Sequence, residues 1–403
     1  MDARHPLDRR VLALNAGSSS IKFALFVADD PPRRLLAGKL DRIGLSGSTW
    51  SSTTQDGRTE RLTIAATTWA EAVRALMDRL ARLVGDGSVD GIGHRIVHGG
   101  PRYAAPERIT EAVLAELRRL VPLDPEHLPG EIAVIEAFSC VHPAIPQIAC
   151  FDTAFHAKLP RVAQILPVPR RLEKLGVRRY GFHGLSYAYL LEELERTAGR
   201  AAARGRVILA HLGNGASMAA VHNGQSMDTT MALTPTAGLP MSTRAGDLDP
   251  ALGSFLSRTE GTTPEQFFDL VNRQSGLLGI SETSSDVRDL LATEAKDHRA
   301  AEAIDVFCYQ AAKWIGAYTA ALGGLDTLVF SGGIGENAAE IRARVCARLP
   351  CLGIHLDPAR NDNHAAIIST DTSPVTVRVI RTDEEVMIAK HVVHALTSLN
   401  KPV

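Results

Sequence analysis

Two stretches of this 403-residue chain share one pattern, and that pattern constrains the fold more than any other feature. Residues 11–25 read VLALNAGSSSIKFAL, and residues 207–221 read VILAHLGNGASMAAV. Each is an apolar strand, a turn of Asn, Gly and Ser, and a second strand. Strand–turn–strand units are common, so the similarity can be a coincidence. If it records a duplication, the chain forms two similar lobes with a cleft between them, and each lobe carries a phosphate-facing hairpin.

The rest of the sequence alternates between strand and helix patterns, which indicates an α/β fold with hairpins among crossover-linked strands. Strands are predicted at 11–15, 21–27, 35–43, 91–98, 147–151, 206–212, 217–222 and 326–330. Helices are predicted at 68–84, 301–322 and 337–349. In the long second helix the small residues Gly316 and Ala320 predict close packing, against the core or a partner. Exposed loops are predicted at 56–62 and at 198–206, the second of which includes a helix end.

Composition excludes several classes of function. The chain is 45% hydrophobic and 22% charged with a net charge of -1, so nothing points to a nucleic-acid or membrane partner. No apolar run reaches the ~18 residues of a membrane span. The N-terminal stretch MDARHPLDRR lacks the apolar core of a secretory signal. Five scattered cysteines without a CxxC pair fit a reducing compartment, so we expect a cytoplasmic protein.

The first turn, residues 15–20, is more polar than a hairpin requires. Backbone N–H groups of a Gly/Ser turn form an anion-binding concavity, and Lys22 adds a point charge for a phosphate. Asn15 has a neutral oxygen suited to a hydrated Mg²⁺. A polar turn with a solvent-exposed lysine explains the same residues. Residues 19–22 match S-x-x-K, but no K-T-G follows and no Walker A loop is present.

Two more glycine-rich stretches have the composition of phosphate-binding loops. HLGNGAS occupies residues 211–217, and SGGIGEN occupies residues 331–337 between a predicted strand and a predicted helix. A glycine loop that leads into a helix N-terminus is a ready site for a nucleotide. A tight turn without a ligand is the alternative. Because neither stretch is G-x-G-x-x-G, a dinucleotide-binding fold is disfavoured.

Charged residues lie at similar places in the predicted elements. Arg95 and Asp152 stand at strand ends, Arg244 lies in a loop, and His183 lies between two glycines at a predicted helix start. Either arginine can simply belong to a structural ion pair, and the acids of TDEE (382–385) can simply complement a helix dipole. The sequence contains no HExxH motif, Cys/His cluster or nucleophile elbow, so metallohydrolase and acyl-hydrolase functions lack support.

Seven motifs in this order resemble the acetate kinase family, which has the acetate and sugar kinase/heat-shock protein 70/actin fold. They are NAGSSSIKF, FDTAFH, YGFHG, HLGNG, TRAGDLDP, GIGEN and TDEE, and they span nearly the whole chain. The resemblance implies two similar ribonuclease H-like (actin-like ATPase) domains with an interdomain cleft, formed by residues 1–152 plus 386–403 and by residues 153–385. It also implies a homodimer that performs reversible, direct in-line phosphoryl transfer from ATP to acetate, with Mg²⁺ or Mn²⁺ as cofactor.

The same resemblance assigns roles to individual positions. The catalytic positions are Asp152, His183, Arg244 and Arg95. The acetate-binding positions are Arg95 and the apolar Val97, Leu123, Phe182 and Pro235. The metal-binding positions are Asn15 and Glu384. The ATP-binding positions are Lys22, His211, Leu212, Gly213, Asn214, Gly215, Asp286, Val287, Arg288, Gly333, Ile334, Gly335, Glu336 and Asn337.

The chain departs from the family pattern at several places, two of which lie beside the substrate-binding and metal-binding positions. The family commonly has His-Asn-Pro-Pro-Asn after the pocket leucine, whereas here Asp124 follows Leu123; the usual T-N-E-E reads T-D-E-E with Asp383. A preference for propionate or another short-chain carboxylate therefore stays open. So do a sugar kinase and a nucleotide-dependent binding protein of the heat-shock 70 or actin type, although Arg95 and Arg244 favour a small anionic substrate. Since a carboxylate acceptor is already ionised, Asp152 is expected to position groups rather than act as a base.

Overall fold

The computed structural model describes residues 9–17, 19–45, 47–84 and 89–399. Ser18 of the first turn and the N-terminal residues 1–8 lie outside these ranges. The described chain divides into two compact units. The first unit comprises the residues up to Ala154 and those from Asp383 onward, and the second unit is Phe155–Thr382. In the ranges described, none of the helices has the length and apolar character needed to cross a membrane.

The elements alternate as the sequence predicts. The strands are β1 (Arg10–Ala16), β2 (Ile21–Val27), β3 (Arg33–Asp41), β4 (Thr49–Thr54), β5 (Thr59–Thr63), β6 (Gly91–Ile96), β7 (Glu107–Arg108), β8 (Gln147–Phe151), β9 (Arg206–Leu212), β10 (Ala216–His222), β11 (Gln225–Thr229), β12 (Thr327–Ser331) and β13 (Thr376–Val379). The helices are α1 (Trp69–Val84), α2 (Glu111–Leu120), α3 (Leu128–Val141), α4 (Arg161–Gln164), α5 (Gly184–Ala198), α6 (Arg200–Arg204), α7 (Ala251–Glu260), α8 (Pro264–Arg273), α9 (Gly276–Ser281), α10 (Val287–Thr293), α11 (His298–Leu322), α12 (Gly332–Asn337), α13 (Ala339–Cys346), α14 (Pro358–Asp362) and α15 (Glu384–Leu399).

Each unit is built on one mixed sheet. In the first unit the strand order is β5-β4-β3-β2-β1-β6-β8-β7, and in the second it is β11-β10-β9-β12-β13. Strands β1, β2 and β3 are antiparallel neighbours, whereas β6 runs parallel to β1 and β8 runs parallel to β6. In the second unit β9, β10 and β11 are antiparallel, and β12 and β13 continue the sheet in parallel.

The two sheets therefore share a five-strand core with the same order and the same strand directions. The order β3-β2-β1-β6-β8 of the first unit matches β11-β10-β9-β12-β13 of the second. The two similar sequence stretches form the central hairpins β1–β2 and β9–β10 at equivalent places. This equivalence favours duplication over coincidence, and it confirms the predicted α/β fold of two similar domains.

Apolar periodicity explains how the helices cover the first sheet. Helix α1 buries Ala72, Leu76 and Leu80, which lie on the face predicted from their spacing. They belong to one core with Phe23 and Trp50, whose rings lie 4.7 Å apart. The burial of such side chains is the main force that holds the helix on the sheet.

The C-terminal helix α15 returns to the first unit and lies directly on β6. A Cβ atom at Gly93 would come within 2.3 Å of Ile388 Cγ2 and 2.7 Å of Val392 Cγ2. A Cβ atom at Gly91 would come within 2.8 Å of Val392. The strand can therefore accept this helix only because these positions lack side chains. The contact fixes the N-terminus of α15, where Glu384 stands.

The sequence predictions fail at a few elements. The predicted loop at 56–62 overlaps β5, whose residues alternate between exposed and half-buried positions without a fully buried face. The predicted helix at 337–349 is two helices, because the GIGEN loop itself forms α12 and α13 begins at Ala339. Close packing of Gly316 against the core of this chain is also wrong, since a Cβ atom there would meet nothing within 4 Å.

The contact between α15 and β6 predicts a cost for any side chain at residue 93. The substitution Gly93→Ala should lower the free energy of unfolding by about 2 kcal/mol, because overpacking a filled core typically costs 1–3 kcal/mol. Urea denaturation followed by circular dichroism measures the change. The matched variant Gly316→Ala should instead raise stability by about 1 kcal/mol, since it replaces glycine inside a helix with open space around it. Equal effects of the two variants would contradict the packing argument.

Burial of His94 predicts a loss of stability in acid. His94 is 3% exposed, and its Nε2 lies 2.7 Å from Gln147 Oε1. Burial lowers the pKa of His94 to about 4, although the Gln147 contact opposes this. The pKa of His94 is therefore lower in the folded protein than the ordinary value of 6.5 expected in the unfolded chain. The folded state keeps its full stability above pH 6.5 and loses stability as the pH falls towards 4, because the unfolded chain binds the proton first.

In the variant His94→Gln this titration is absent, while the amide can still donate to Gln147. The wild-type free energy of unfolding should therefore fall between pH 7 and pH 4 by about 3 kcal/mol more than that of the variant, at about 1.4 kcal/mol per pKa unit. Urea titrations at pH 7, 5.5 and 4 give the two pH profiles. Parallel profiles would show that His94 does not stay neutral in the folded protein.

Candidate active site

In the first unit, three parallel strands bring together residues that the sequence predicted separately. Asn15 lies near the end of β1, Arg95 near the end of β6, and Asp152 directly after β8. These strands are adjacent and parallel, so their carboxyl ends meet at one edge of the sheet. Arg95 Nε and Nη2 donate to Asp152 Oδ2 at 3.0 and 2.5 Å, and Nη1 donates to Asn15 Oδ1 at 3.2 Å.

Arg95 is the charge centre of this cluster. The Asp152 side chain is fully buried, and Glu384 Oε2 lies 3.7 Å from Arg95 Nε. Burial disfavours the charged guanidinium, but the carboxylates of Asp152 and Glu384 outweigh it and hold the pKa of Arg95 above its ordinary value. Arg95 therefore stays cationic, and the ion pair considered from the sequence is present.

One buried acid near Arg95 was not identified as a functional candidate from the sequence. Glu131 on α3 is 1% exposed, and both of its carboxyl oxygens lie 3.2 Å from the backbone nitrogen of Val97, which donates to them. Burial raises the pKa of Glu131 well above its ordinary value, and the Asp124 carboxylate adds to this, whereas Arg95 opposes it. Glu131 therefore fixes the backbone at Val97, one of the predicted acetate-binding positions. An acid in the first turn of the mostly apolar helix α3 is the sequence signal that could have revealed it.

Asp124 stands where the family commonly has histidine, directly after Leu123. Its side chain is 3% exposed, and Oδ1 accepts from His127 Nδ1 at 2.8 Å and from the His127 backbone at 3.3 Å. Its other oxygen, Oδ2, is buried without a hydrogen-bond partner among the residues that the structure describes. Asp124 thus gives this end of the first unit a buried acidic character.

Lys22 lies on β2 opposite Asn15 in the register of the β1–β2 hairpin. Its side chain is exposed, as expected for a residue that opens a strand of alternating pattern. The hairpin therefore places a cation beside the predicted metal-binding amide.

In the second unit, two predicted catalytic residues converge on the HLGNG turn. His183 precedes α5 with a left-handed backbone (φ 58°), and Arg244 lies in the loop before α7. A Cβ atom at Gly215 would lie 3.2 Å from His183 Nε2 and 3.8 Å from Arg244 Nη1. Arg244 Nη1 also donates to the Pro235 carbonyl at 3.4 Å. The glycine thus leaves open the place that both nitrogen donors face.

The HLGNG and GIGEN loops are neighbours in the second unit. A Cβ atom at Gly213 would lie 3.7 Å from the Gly333 nitrogen and 3.7 Å from His211 Nε2. The imidazole of His211 stacks on that of His183, with ring centroids 4.3 Å apart. The backbones of two glycine-rich loops that are distant in sequence therefore lie side by side. Such an arrangement suits a phosphate chain.

Two charged residues hold the GIGEN loop from behind. Glu336 Oε1 accepts from the Gly332 nitrogen at 2.9 Å and from the Thr382 nitrogen at 3.1 Å. Arg342 is fully buried and donates to the carbonyls of Gly335 and Glu336 at 2.9 and 3.0 Å. Through these two contacts the Glu336 carboxylate joins the backbone at Gly332 to the backbone at Thr382. Arg342 lies six residues after Glu336, in α13, and gave no sequence signal.

The remaining predicted positions are less closely joined to these loops. Asp286 caps α10 and accepts from the Arg288 backbone at 2.9 Å and from its guanidinium. The side chains of Asp286 and Arg288 thus bond to each other, at the start of α10. Phe182 is buried, and its carbonyl lies 3.1 Å from His156 Nε2.

Comparison with known proteins agrees with this geometry. The sequence model of the Acetokinase family matches residues 10–390. An acetate kinase from Rhodopseudomonas palustris is 45% identical over 389 residues, which cover 95% of this chain and 97% of that protein. The crystal structure of Porphyromonas gingivalis acetate kinase has a TM-score of 0.89 at 37% identity and covers 96% of this chain and 100% of its own.

A propionate kinase from Francisella tularensis is also similar, with a TM-score of 0.90 at 34% identity over 95% of this chain and 99% of that structure. The matches span nearly the whole chain and include every loop described above. The chain belongs to the acetokinase family and is a kinase.

Proposed function

We propose that this protein catalyses the reversible transfer of the γ-phosphoryl group of ATP to a carboxylate oxygen of acetate, which yields acetyl phosphate and ADP. The observation that supports it most directly is the convergence of His183 Nε2 and Arg244 Nη1 over Gly215, beside the GIGEN loop. The similarity to acetate kinases supplies the acceptor.

On the acceptor side, Arg95 binds the carboxylate and Asp152 holds the guanidinium in place through Nε and Nη2. No general base is needed, since a short-chain carboxylic acid is ionised at neutral pH. Val97 and Leu123 in the first unit, and Phe182 and Pro235 in the second, provide the apolar surfaces proposed for the methyl group.

On the nucleotide side, the phosphates bind the backbone of the HLGNG loop and the GIGEN loop. Arg244 and His183 stabilise the charge that spreads over the transferring phosphoryl oxygens. An arginine in this role contributes on the order of 10³–10⁵ in rate. The same proposal assigns Lys22 and residues 286–288 to the binding of ATP.

The donor set fits a divalent cation. Asn15 Oδ1 and Glu384 Oε2 both lie beside the Arg95 guanidinium, at 3.2 Å from Nη1 and 3.7 Å from Nε. Within the described residues no group of three or more His, Cys, Asp or Glu side chains could hold a metal on its own. Mg²⁺ commonly binds one or two protein oxygens together with waters and substrate phosphates, so two ligands suffice. We propose that these two residues hold Mg²⁺ or Mn²⁺, which would neutralise phosphate charge.

Propionate is the second candidate acceptor. The similarity to a propionate kinase supports it. One methylene group in an apolar pocket changes specificity by only about 1–3 kcal/mol, so the two acids compete closely.

We also propose a cytoplasmic homodimer. All five cysteines are free thiols, which suits a reducing compartment. Helix α11 buries one face in the second unit but leaves Val306 and Tyr309 exposed, which suits contact with a second copy.

The proposal predicts which acceptors the purified protein phosphorylates. With ATP and Mg²⁺, hydroxylamine trapping should detect acyl phosphate from acetate and from propionate, and none from glycerol. The kcat/KM values for the two acids should differ by no more than about 200-fold. Butyrate extends the series. Absence of acyl phosphate with every short acid would reject the proposal, and ATP hydrolysis without it would favour a nucleotide-driven binding protein.

A second prediction concerns Arg244. The substitution Arg244→Ala should lower kcat by about 10³-fold or more and leave the KM for ATP nearly unchanged, because the guanidinium acts mainly on the transferring group. Steady-state kinetics with saturating acid give both constants. The matched control is Arg258→Ala, an arginine of the same unit that donates to Ser254 on the surface and should leave kcat unchanged. A wild-type kcat in Arg244→Ala would remove this residue from the mechanism.

A further inference from the structure

The His183 imidazole is the end of a chain of hydroxyl groups. Its Nδ1 lies 2.8 Å from Ser217 Oγ, and Ser217 Oγ in turn contacts the Tyr187 hydroxyl in a short hydrogen bond. Both Ser217 and Tyr187 are fully buried. Ser217 belongs to β10, two residues after Gly215, and Tyr187 to α5, four residues after His183. The two elements that present the HLGNG turn and His183 are therefore joined by this chain.

We propose that Ser217, backed by Tyr187, sets His183 in the tautomer that carries its proton on Nε2 and is thus a positioning residue for phosphoryl transfer. The catalytic part of this inference rests on the proposed function. A phenol is a better hydrogen-bond donor than an alcohol, so Tyr187 donates to Ser217. Ser217 has a single proton, which it donates to Nδ1. A neutral imidazole whose Nδ1 accepts carries its hydrogen on Nε2.

The second histidine of the site has the same arrangement. His211 Nδ1 lies 2.8 Å from Ser186 Oγ, which lies 2.7 Å from Thr382 Oγ1. The two stacked rings have an interplanar angle of 23°. Two imidazolium ions stacked at this separation would repel each other, which disfavours a charge on both rings at once. At each of the two rings, a serine contacts Nδ1 and a second hydroxyl contacts that serine. The repeated arrangement indicates a shared role rather than an isolated contact.

The tautomer decides what His183 offers to a phosphoryl group. Nε2 is the atom that faces the open place above Gly215, which Arg244 Nη1 also faces. With the proton on Nε2, the ring donates a hydrogen bond to a phosphoryl oxygen. With the proton on Nδ1, it would present a lone pair to a negatively charged oxygen, which is repulsive. Ser217 therefore acts on catalysis only through the orientation and tautomer of the ring.

Nuclear magnetic resonance of protein labelled with ¹⁵N-histidine tests the inference directly. Long-range ¹H–¹⁵N spectra distinguish the two tautomers by the nitrogen shifts, and a His183→Gln sample assigns the signals. The wild-type spectrum should show His183 with a protonated Nε2 and an unprotonated Nδ1. In Ser217→Ala this pattern should give way to a mixture of tautomers. A wild-type His183 with its proton on Nδ1 would overturn the proposal.

Kinetics separate positioning from general damage to the fold. The substitution Ser217→Ala should lower kcat by about 10- to 100-fold, the range expected for a misplaced catalytic group, with KM values for ATP and acid within about twofold. Ser217→Thr keeps the hydroxyl and should restore kcat to within about threefold of wild type. The control is Ser369→Ala, a serine of the same unit that is 2% exposed and accepts from the Val377 nitrogen. It should leave kcat unchanged.

Two results would contradict the inference from the kinetic side. One is a wild-type kcat in Ser217→Ala, and the other is an equal loss in Ser217→Ala and Ser217→Thr. If the wild-type chain forms no acyl phosphate from any acid, the proposed function fails instead. The tautomer of His183 is still decided by the spectra in that case, because that measurement needs no turnover.

Discussion

The ion pair between Arg95 and Asp152 is the interaction on which the first unit's site depends. It joins the ends of β6 and β8, and the bond from Arg95 to Asn15 extends it to β1. Removing two charges from water is costly, and a buried pair with one partner missing is strongly destabilising. The sheet register and the pair therefore support each other: parallel strands bring both ends together, and the charges fix them there. The Arg95 guanidinium is oriented by this pair before any substrate binds.

In the second unit, the charged groups that hold the loops bond to neutral ones. Its loops are held by hydroxyls, backbone amides and the carboxylate of Glu336, which receives bonds from Gly332 and Thr382. The one buried cation behind the GIGEN loop, Arg342, binds carbonyl and amide oxygens rather than an acid among its described contacts. Its charge is thus spread over helix-end carbonyls, which attract cations.

Much of this could be predicted from the sequence, because the relevant signals are local. Apolar runs broken by Gly and Ser located both central hairpins, and a glycine loop after a strand located α12. Arg95 and Asp152 were found as charged residues at strand ends. Glu131 and Arg342 were not predicted because their roles depend on burial, and burial depends on packing between elements distant in sequence. Strand β5 was not predicted because it has no buried face, so its sequence does not alternate between apolar and polar residues.

The charges around Arg95 in the first unit do not balance. Arg95 contributes one positive charge, whereas Asp152 and Glu384 contribute two negative charges within 3.7 Å of it. An anionic acid that binds there meets a site with a net negative charge, and a polyphosphate adds to the repulsion. Coulomb energies at such distances amount to several kcal/mol in a partly buried site, so the balance is unfavourable without another cation. The divalent ion proposed above would offset the charge of the same carboxylates that hold Arg95 in place.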